Sequence, residues 1–558
     1  MTELQVDPNS TGPMSKTTAA ILICLVCVPI MFWNLNGRDL WAPDEPRFAQ
    51  IAREMVRSGD WVVPRMNGQE VALLPPLTYW LVALPSTVAG DVTEFTARVP
   101  LAVLGLAGVF AVFCLGNRMF GCRVGLFSAL ILATSFKYLW QTRWLQADMV
   151  LATFDLLALL FFYWAFTAER RKWIGYHLFC ICIGLAVLAK GPVGVVLPGL
   201  VILPLLTWTR SWPRIREMWV PTGIVAFLVI VLPWYVAVGL RGGGDFLHEV
   251  VIKHNFGMFF ETWSHKQPIW YYVPHVFWLM MPWSLFIFPA LLNPVSEEER
   301  DHRRFLLCWV VTQFVFFSIS EAKQEKYLLP MLPAVAILIG KCWADYIDGH
   351  LSLRLRKVMT VLTAITAVQL IVAGPAIAVI SRLKLPHILG LGVVSGAIFL
   401  AGGILLLAFL WQGRLKYALI SLVVFCFVVH VLRVGWIMPS FDVLKSARDF
   451  CSKVNDFARE DEPVGIYGVK YRQIGAYCFY LDRRVKTFEN EKEDFVQALL
   501  EEEMLAPDQF LCIVRDSYLP FLLGWRPNLS VLHSQRIGHR LMHLISNGKQ
   551  PRKGVPGP

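Results

Sequence analysis

Two carboxylates stand side by side at Asp44 and Glu45, in the stretch LWAPDEPRFAQIAREMVR over residues 40–57. The apolar run AAILICLVCVPIMFWNL ends just before them and is long enough to cross a bilayer. Pro46 is favoured in the first turn of a helix, where its missing N–H has no bond to lose. Phe48, Ile51, Ala52 and Met55 then recur at i, i+3, i+4 and i+7, Arg47, Gln50, Arg53, Glu54 and Arg57 face elsewhere, and Gly59 is placed to stop the helix. The pattern predicts an amphipathic helix suited to the bilayer interface, with Asp44 and Glu45 at its positive end. A carboxylate stays ionised there, available to take a proton or to face a developing positive charge. Either acid could instead be an N-cap worth about 1 kcal/mol. The second acid and the adjacent membrane argue for chemistry at Asp44.

The elements around this helix follow from composition. Of 558 residues 56% are hydrophobic and 17% charged, with a mean hydropathy of +0.52, which predicts a polytopic α-helical membrane protein. The net charge of +11 comes from basic residues in short loops between apolar runs, a topology signal and not a nucleic-acid surface. Spanning runs are expected at roughly 18–35, 99–116, 122–138, 148–167, 173–190, 192–208, 218–238, 273–292, 303–320, 327–346, 358–380, 386–411 and 417–437. The first carries little positive charge ahead of it and no small-residue cleavage site, so it reads as a retained helix. The segment 77–90, LTYWLVALPSTVAG, is too short to span alone.

Basic residues fall on alternate connections, among them Arg118 and Arg123, Arg170 to Lys172, Arg210 to Arg216, Arg300 to Arg304, Arg354 to Lys357, and Arg414 with Lys416. These connections are expected to be cytoplasmic. Thirteen crossings then place 36–98, 139–147, 239–272, 321–326 and everything after 438 outside. Those outer segments hold the unusual polar residues, in DEPR, RWLQAD, HNFGMFFETWSHKQP and SEAKQEKY. A transporter would carry its charges near the bilayer midplane, often within internal repeats.

The expected division is a disordered tail over 1–15, a transmembrane domain over 16–438 with its first external loop at 36–98, a soluble α/β domain over 439–548, and a disordered end at 549–558. In the α/β part PVGIYG, AYCFYL, FLCIVR, LSVLHS and HRLMHLI read as strands and EDFVQALLEEEM as a helix. Most of the twelve cysteines lie in apolar runs; Cys451, Cys478 and Cys512 lie in the tail, where one disulfide could form. No CxxC or HExxH occurs, so spacing announces no zinc site.

DEPRFAQIAREMVRSGDWVVPRMNG, followed by PPLTYW and TARVP, resembles the signature of GT-C type membrane glycosyltransferases. Within that group the chain looks like the bacterial lipid A aminoarabinose transferases and their relatives in the protein O-mannosyltransferase superfamily. RWLQADMVLATFD, LAKGP, PWY, HKQPIWYY and KQEKYLLPMLP follow in the family's order, so the likeness covers about 45–335. It implies the GT-C fold, about 13 transmembrane helices with interfacial helices, and a periplasmic α/β domain after the last helix. It also implies transfer, with inversion, of a sugar from undecaprenyl monophosphate to lipid A, another glycolipid or a protein at the periplasmic face of the inner membrane.

The phosphate is already a good leaving group, so such a site needs a carboxylate for the acceptor and cations for the phosphate. By resemblance Asp44 is the base, Glu45 its companion and Asp148 a second acid. Asp148 also reads as an N-cap before MVLATF. Arg47, Lys190, His265, Lys323 and Lys326 are available to the phosphate, and Tyr327 stands in the same motif. Lys323 matches the family's lysine before YLLP better than Lys326 does. Lys190 ends an apolar helix and could equally snorkel to the interface. The family has an acidic residue and a lysine before PPLxYW where this chain has Leu73 and Leu74. Either another cation, Lys190 or Lys323, then takes that role, or the donor or even the activity differs; no metal or other cofactor is predicted. A polyprenyl-lipid flippase and a non-catalytic lipid-sugar binder are the competing readings.

Overall fold

A chain this apolar must close its own backbone hydrogen bonds inside a bilayer, and in the computed structural model it does so with helices. The structure describes residues 14–250, 266–459, 464–488, 511–525 and 528–547. They fall into two compact units, one of Met1–Leu35, Ala72–Thr78 and Arg98–Ile437, the other of Asn36–Val71, Tyr79–Ala97 and Met438–Pro558. The segment after the first helix thus groups with the tail and with most of the helix Leu77–Ala89, and not with the helix before it.

The first unit is helical. Eight helices of the described chain are long and apolar enough to cross a membrane, or ten if each of two bent pairs is one span. Many carry large apolar side chains on their outer faces, as at Val229, Leu240 and Trp411, which suits lipid contact. Every run expected to span lies on a helix, but two are not single rods. The run at 122–138 divides into Cys122–Thr134 and Phe136–Thr142, bent by 70° where Ser135 is extended. The run at 273–292 divides into Tyr272–Leu279 and Trp283–Leu292, bent by 116° beside Pro282, which cannot donate a helical hydrogen bond. The runs at 18–35 and 192–208 are shorter helices, Lys16–Phe32 and Val193–Trp208. Leu77–Ala89 is short too, as expected. Helices Leu353–Lys384 and Leu389–Trp411 pack so closely that a Cβ on Gly374 would lie 2.6 Å from the Gly396 carbonyl oxygen. Small residues allow that approach where lipid tails supply no hydrophobic drive.

The second unit contains a five-stranded sheet built from β3 (Val464–Tyr467), β4 (Val485–Phe488), β5 (Leu511–Arg515), β6 (Ser530–Ile537) and β7 (Arg540–Ser546); a small hairpin, β1 (Arg65–Met66) with β2 (Gln69–Glu70), precedes it. The order is β4-β3-β5-β7-β6; β4, β3 and β5 are parallel, and β7 and β6 are antiparallel to their neighbours. Parallel β3 and β4 require a crossover, and the helix Tyr471–Leu481 provides it. AYCFYL therefore lies in that helix and not in a strand, while β4 had no counterpart in the expected strands. An unbroken apolar run does not separate a buried helix from a strand. Ile474, Tyr477, Cys478 and Leu481 recur at helical spacing and join Phe450, Val464 and Ile513 in the core. The other four expected strands became β3, β5, β6 and β7. Cys451, Cys478 and Cys512 are buried free thiols, not a disulfide. EDFVQALLEEEM lies outside the described residues.

The helix that carries the acid pair, Asp44–Ser58, ends where predicted, with Gly59 in the left-handed region and its N–H on the Met55 carbonyl at 3.0 Å. Its apolar face is buried, and so are Arg47, Gln50 and Arg53 on the other face. Arg47 and Arg53 of the polar face are thus enclosed by protein.

Candidate functional site

Adjacent residues on a helix point about 100° apart, and the acid pair is divided accordingly. Glu45 is fully buried. It accepts two hydrogen bonds from Arg38, at 2.7 and 2.9 Å, and one from the Trp41 N–H at 3.1 Å. Trp41 in turn donates its indole N–H to Asp442 at 2.6 Å, and the Arg38 guanidinium lies 4.5 Å from the Trp41 ring centroid. This is a bidentate ion pair that anchors the chain entering the helix. Asp44 keeps 20% of its side chain exposed and accepts from Arg47 at 2.9 Å. Of the two acids it is the one within reach of a solute. Glu45→Ala would leave Arg38 buried without this partner, so we expect a local stability loss of about 3–5 kcal/mol. Thermal unfolding in detergent checks it; an unchanged melting temperature would count against the anchoring role.

The first unit gathers a second cluster. Asp148 lies in the first turn of Ala147–Phe166 and Lys190 in the last turn of Lys172–Lys190. Lys190 bonds directly to Asp148, and Lys326 reaches its other oxygen at 3.4 Å. The Lys190 ammonium lies 4.4 Å from the Tyr327 ring centroid, a cation–π arrangement. Beside them Lys137 and His275 approach Glu325 at 3.6 and 3.7 Å. Asp148 is thus no N-cap, since that place belongs to Gln146, and Lys190 turns onto Asp148 instead of snorkelling away. Two lysines on one buried carboxylate give a cluster suited to anions.

Lys323 is placed differently. It is buried and donates to the Gln267 carbonyl at 3.0 Å and to that of Ser320. Burial holds its pKa below the usual lysine range, against the opposing pull of Glu321. It ties two loop segments together, and Lys326, not Lys323, is the lysine that meets Asp148. His265 lies outside the described residues. Leu73 and Leu74 sit half-buried at a bend, and no group of three or more metal-ligating side chains occurs among the described residues.

Sequence reasoning missed Arg38 and the roles of Lys137 and Glu325. The motif KQEKY carried the last of these in plain view. Arg143 likewise turns out to cap the first helix, donating to the Met31 carbonyl at 2.9 Å and the Asn34 carbonyl at 3.1 Å.

Residues 74–236 match the family described as dolichyl-phosphate-mannose-protein mannosyltransferase. Among similar proteins, the undecaprenyl phosphate-alpha-4-amino-4-deoxy-L-arabinose arabinosyl transferase 2 of Proteus mirabilis is 30% identical over 335 residues, 58% of this chain and 59% of the relative. Transferase 1 of Pseudomonas fluorescens is 30% identical over 363 residues, 62% of each chain. The chain therefore spans about three fifths of the length of the curated relatives it matches. Two crystal structures of ArnT from Cupriavidus metallidurans share the fold. The one bound to undecaprenyl phosphate has a TM-score of 0.77 and 23% identity over 97% of this chain and 100% of that one. The apo state has a TM-score of 0.77 and 24% identity over 97% and 99%. The chain is a multi-pass helical membrane protein that has the GT-C fold and resembles in sequence the bacterial undecaprenyl phosphate aminoarabinose transferases.

Proposed function

We propose that this protein transfers a sugar from undecaprenyl monophosphate to a lipid A-like glycolipid at the periplasmic face of the bacterial inner membrane. The observation that supports the reading most is the pair of lysines held on Asp148, one of them over the Tyr327 ring, in a chain whose fold matches that of a protein solved with undecaprenyl phosphate. The bond between the anomeric carbon and the phosphate oxygen breaks, and a bond from the acceptor oxygen to that carbon forms on the opposite face. Asp44 takes the acceptor's proton. The leaving phosphate keeps the electron pair of the broken bond, so cations rather than a strong acid are needed there. Lys190 and Lys326 supply charge to it and Asp148 orients the two lysines; Arg47, beside Asp44, is a planar fork of the kind that grips a phosphate. With the family's lysine replaced by Leu74, Lys326 is our choice for its substitute. Thirteen crossings with the N-terminus inside would put the α/β tail in the periplasm.

Mass spectrometry of lipid A from cells with and without the protein tests the reading. A pentose- or hexose-sized mass increment is expected only when the protein is present. Identical lipid A profiles would overturn the choice of acceptor and direct the search to glycoproteins.

A further inference from the structure

The helix bearing Asp44 and Arg47 is seated on the crossover helix Tyr471–Leu481 at both ends. At its first turn the backbones nearly touch: a Cβ on Gly475 would lie 2.7 Å from the Arg47 Cα and 3.1 Å from its N and Cβ. These are atoms that cannot swing aside as the end of a flexible side chain would. Arg53 lies about a turn and a half further on and is almost entirely buried. Its guanidinium lies 3.9 Å from the Phe479 ring centroid, donates to the Phe479 carbonyl at 2.8 Å and to the Val92 carbonyl at 2.9 Å, and pairs with Asp91 at 3.0 Å. Arg57 then pairs with Asp482 at 2.7 Å. Such a buried fork, with each branch bonded, fixes a helix both along its axis and about it.

A helix needed only as a spacer would tolerate a small slide. One that presents a base and a phosphate fork would not, because about 1 Å of misplacement costs about 100-fold in rate. We infer that the α/β tail sets the position of Arg47 and Asp44, with Gly475 and Arg53 as positioning residues for the donor phosphate. This rests on the reading of Arg47 as a phosphate ligand. Alanine is a better helix former than glycine, so Gly475→Ala leaves its own helix intact and acts by pushing on Arg47.

The test measures binding of undecaprenyl phosphate to the full-length protein in detergent, by the quench of tryptophan fluorescence. Gly475→Ala is expected to raise Kd about 10-fold, the scale of a weakened charged hydrogen bond, with an unchanged number of sites and a melting temperature lowered by the overpacked contact. Arg47→Ala should raise Kd as well. In the double variant Gly475→Ala should then add nothing, because the side chain it displaces is gone. Independent, multiplying effects would overturn the inference, as would an unchanged Kd with fewer binding sites, which is the mark of a merely structural defect. If Gly475→Ala does not fold, Arg53→Lys, which keeps the charge and loses the fork, decides by the same criteria. A parent protein with no saturable binding would instead remove the functional reading itself.

Discussion

Asp44→Asn is expected to lower sugar transfer by about 100- to 10,000-fold, the usual contribution of a positioned general base. Asn keeps the size of the side chain and an oxygen that can still accept from Arg47, which is 2.9 Å away in the parent chain. It cannot take a proton. Removing a negative charge next to Arg47, the proposed phosphate fork, does not oppose an anion, so undecaprenyl phosphate should bind at least as tightly as before. Lost transfer with retained binding is the signature of chemistry at this carboxylate. A non-catalytic binder would show little change in either quantity, and a flippase would keep moving lipid, because its charges must line a path across the bilayer. Glu45→Gln is the control: it should be read in the melting temperature first, since Glu45 is sealed behind Arg38 and Trp41. Full transfer by Asp44→Asn would remove the base assignment.

What could be read from sequence was what depends on short-range physics. Apolar runs announced the helices because lipid leaves the backbone no alternative. Pro46 and Gly59 marked the ends of the Asp44 helix because its first turn and its last need those residues. The sequence was silent where a contact joins distant parts of the chain. The burial of Arg47 and Arg53 depends on a helix more than 400 residues away, and nothing near residue 50 reports it. The opposite roles of Lys323 and Lys326 turn on where a short 3-10 helix begins. It spans Glu325–Met331, so Lys326 and Tyr327 ride on it toward Asp148 while Lys323 stays in the loop before it. Matching a lysine to a motif by its place in a string cannot resolve a three-residue difference of that kind.

That difference yields the second large effect. Lys326→Met should weaken undecaprenyl phosphate binding about 10- to 100-fold, the range of a charge-assisted hydrogen bond worth about 1.5–3 kcal/mol, and Lys190→Met should do the same. Lys323→Met should leave affinity alone and lower the melting temperature, because the carbonyls of Gln267 and Ser320 lose their donor. Asp148→Asn separates orientation from direct phosphate repulsion. It takes from Lys190 and Lys326 the buried carboxylate they share, so a stability loss of up to about 3–5 kcal/mol is expected, while the phosphate, itself an anion, can restore the missing charge. Undecaprenyl phosphate should therefore raise the melting temperature of Asp148→Asn by more than it raises that of the parent protein. Equal ligand shifts in the two, or a Lys323→Met variant that loses binding while Lys326→Met keeps it, would return the phosphate to the lysine that motif matching preferred.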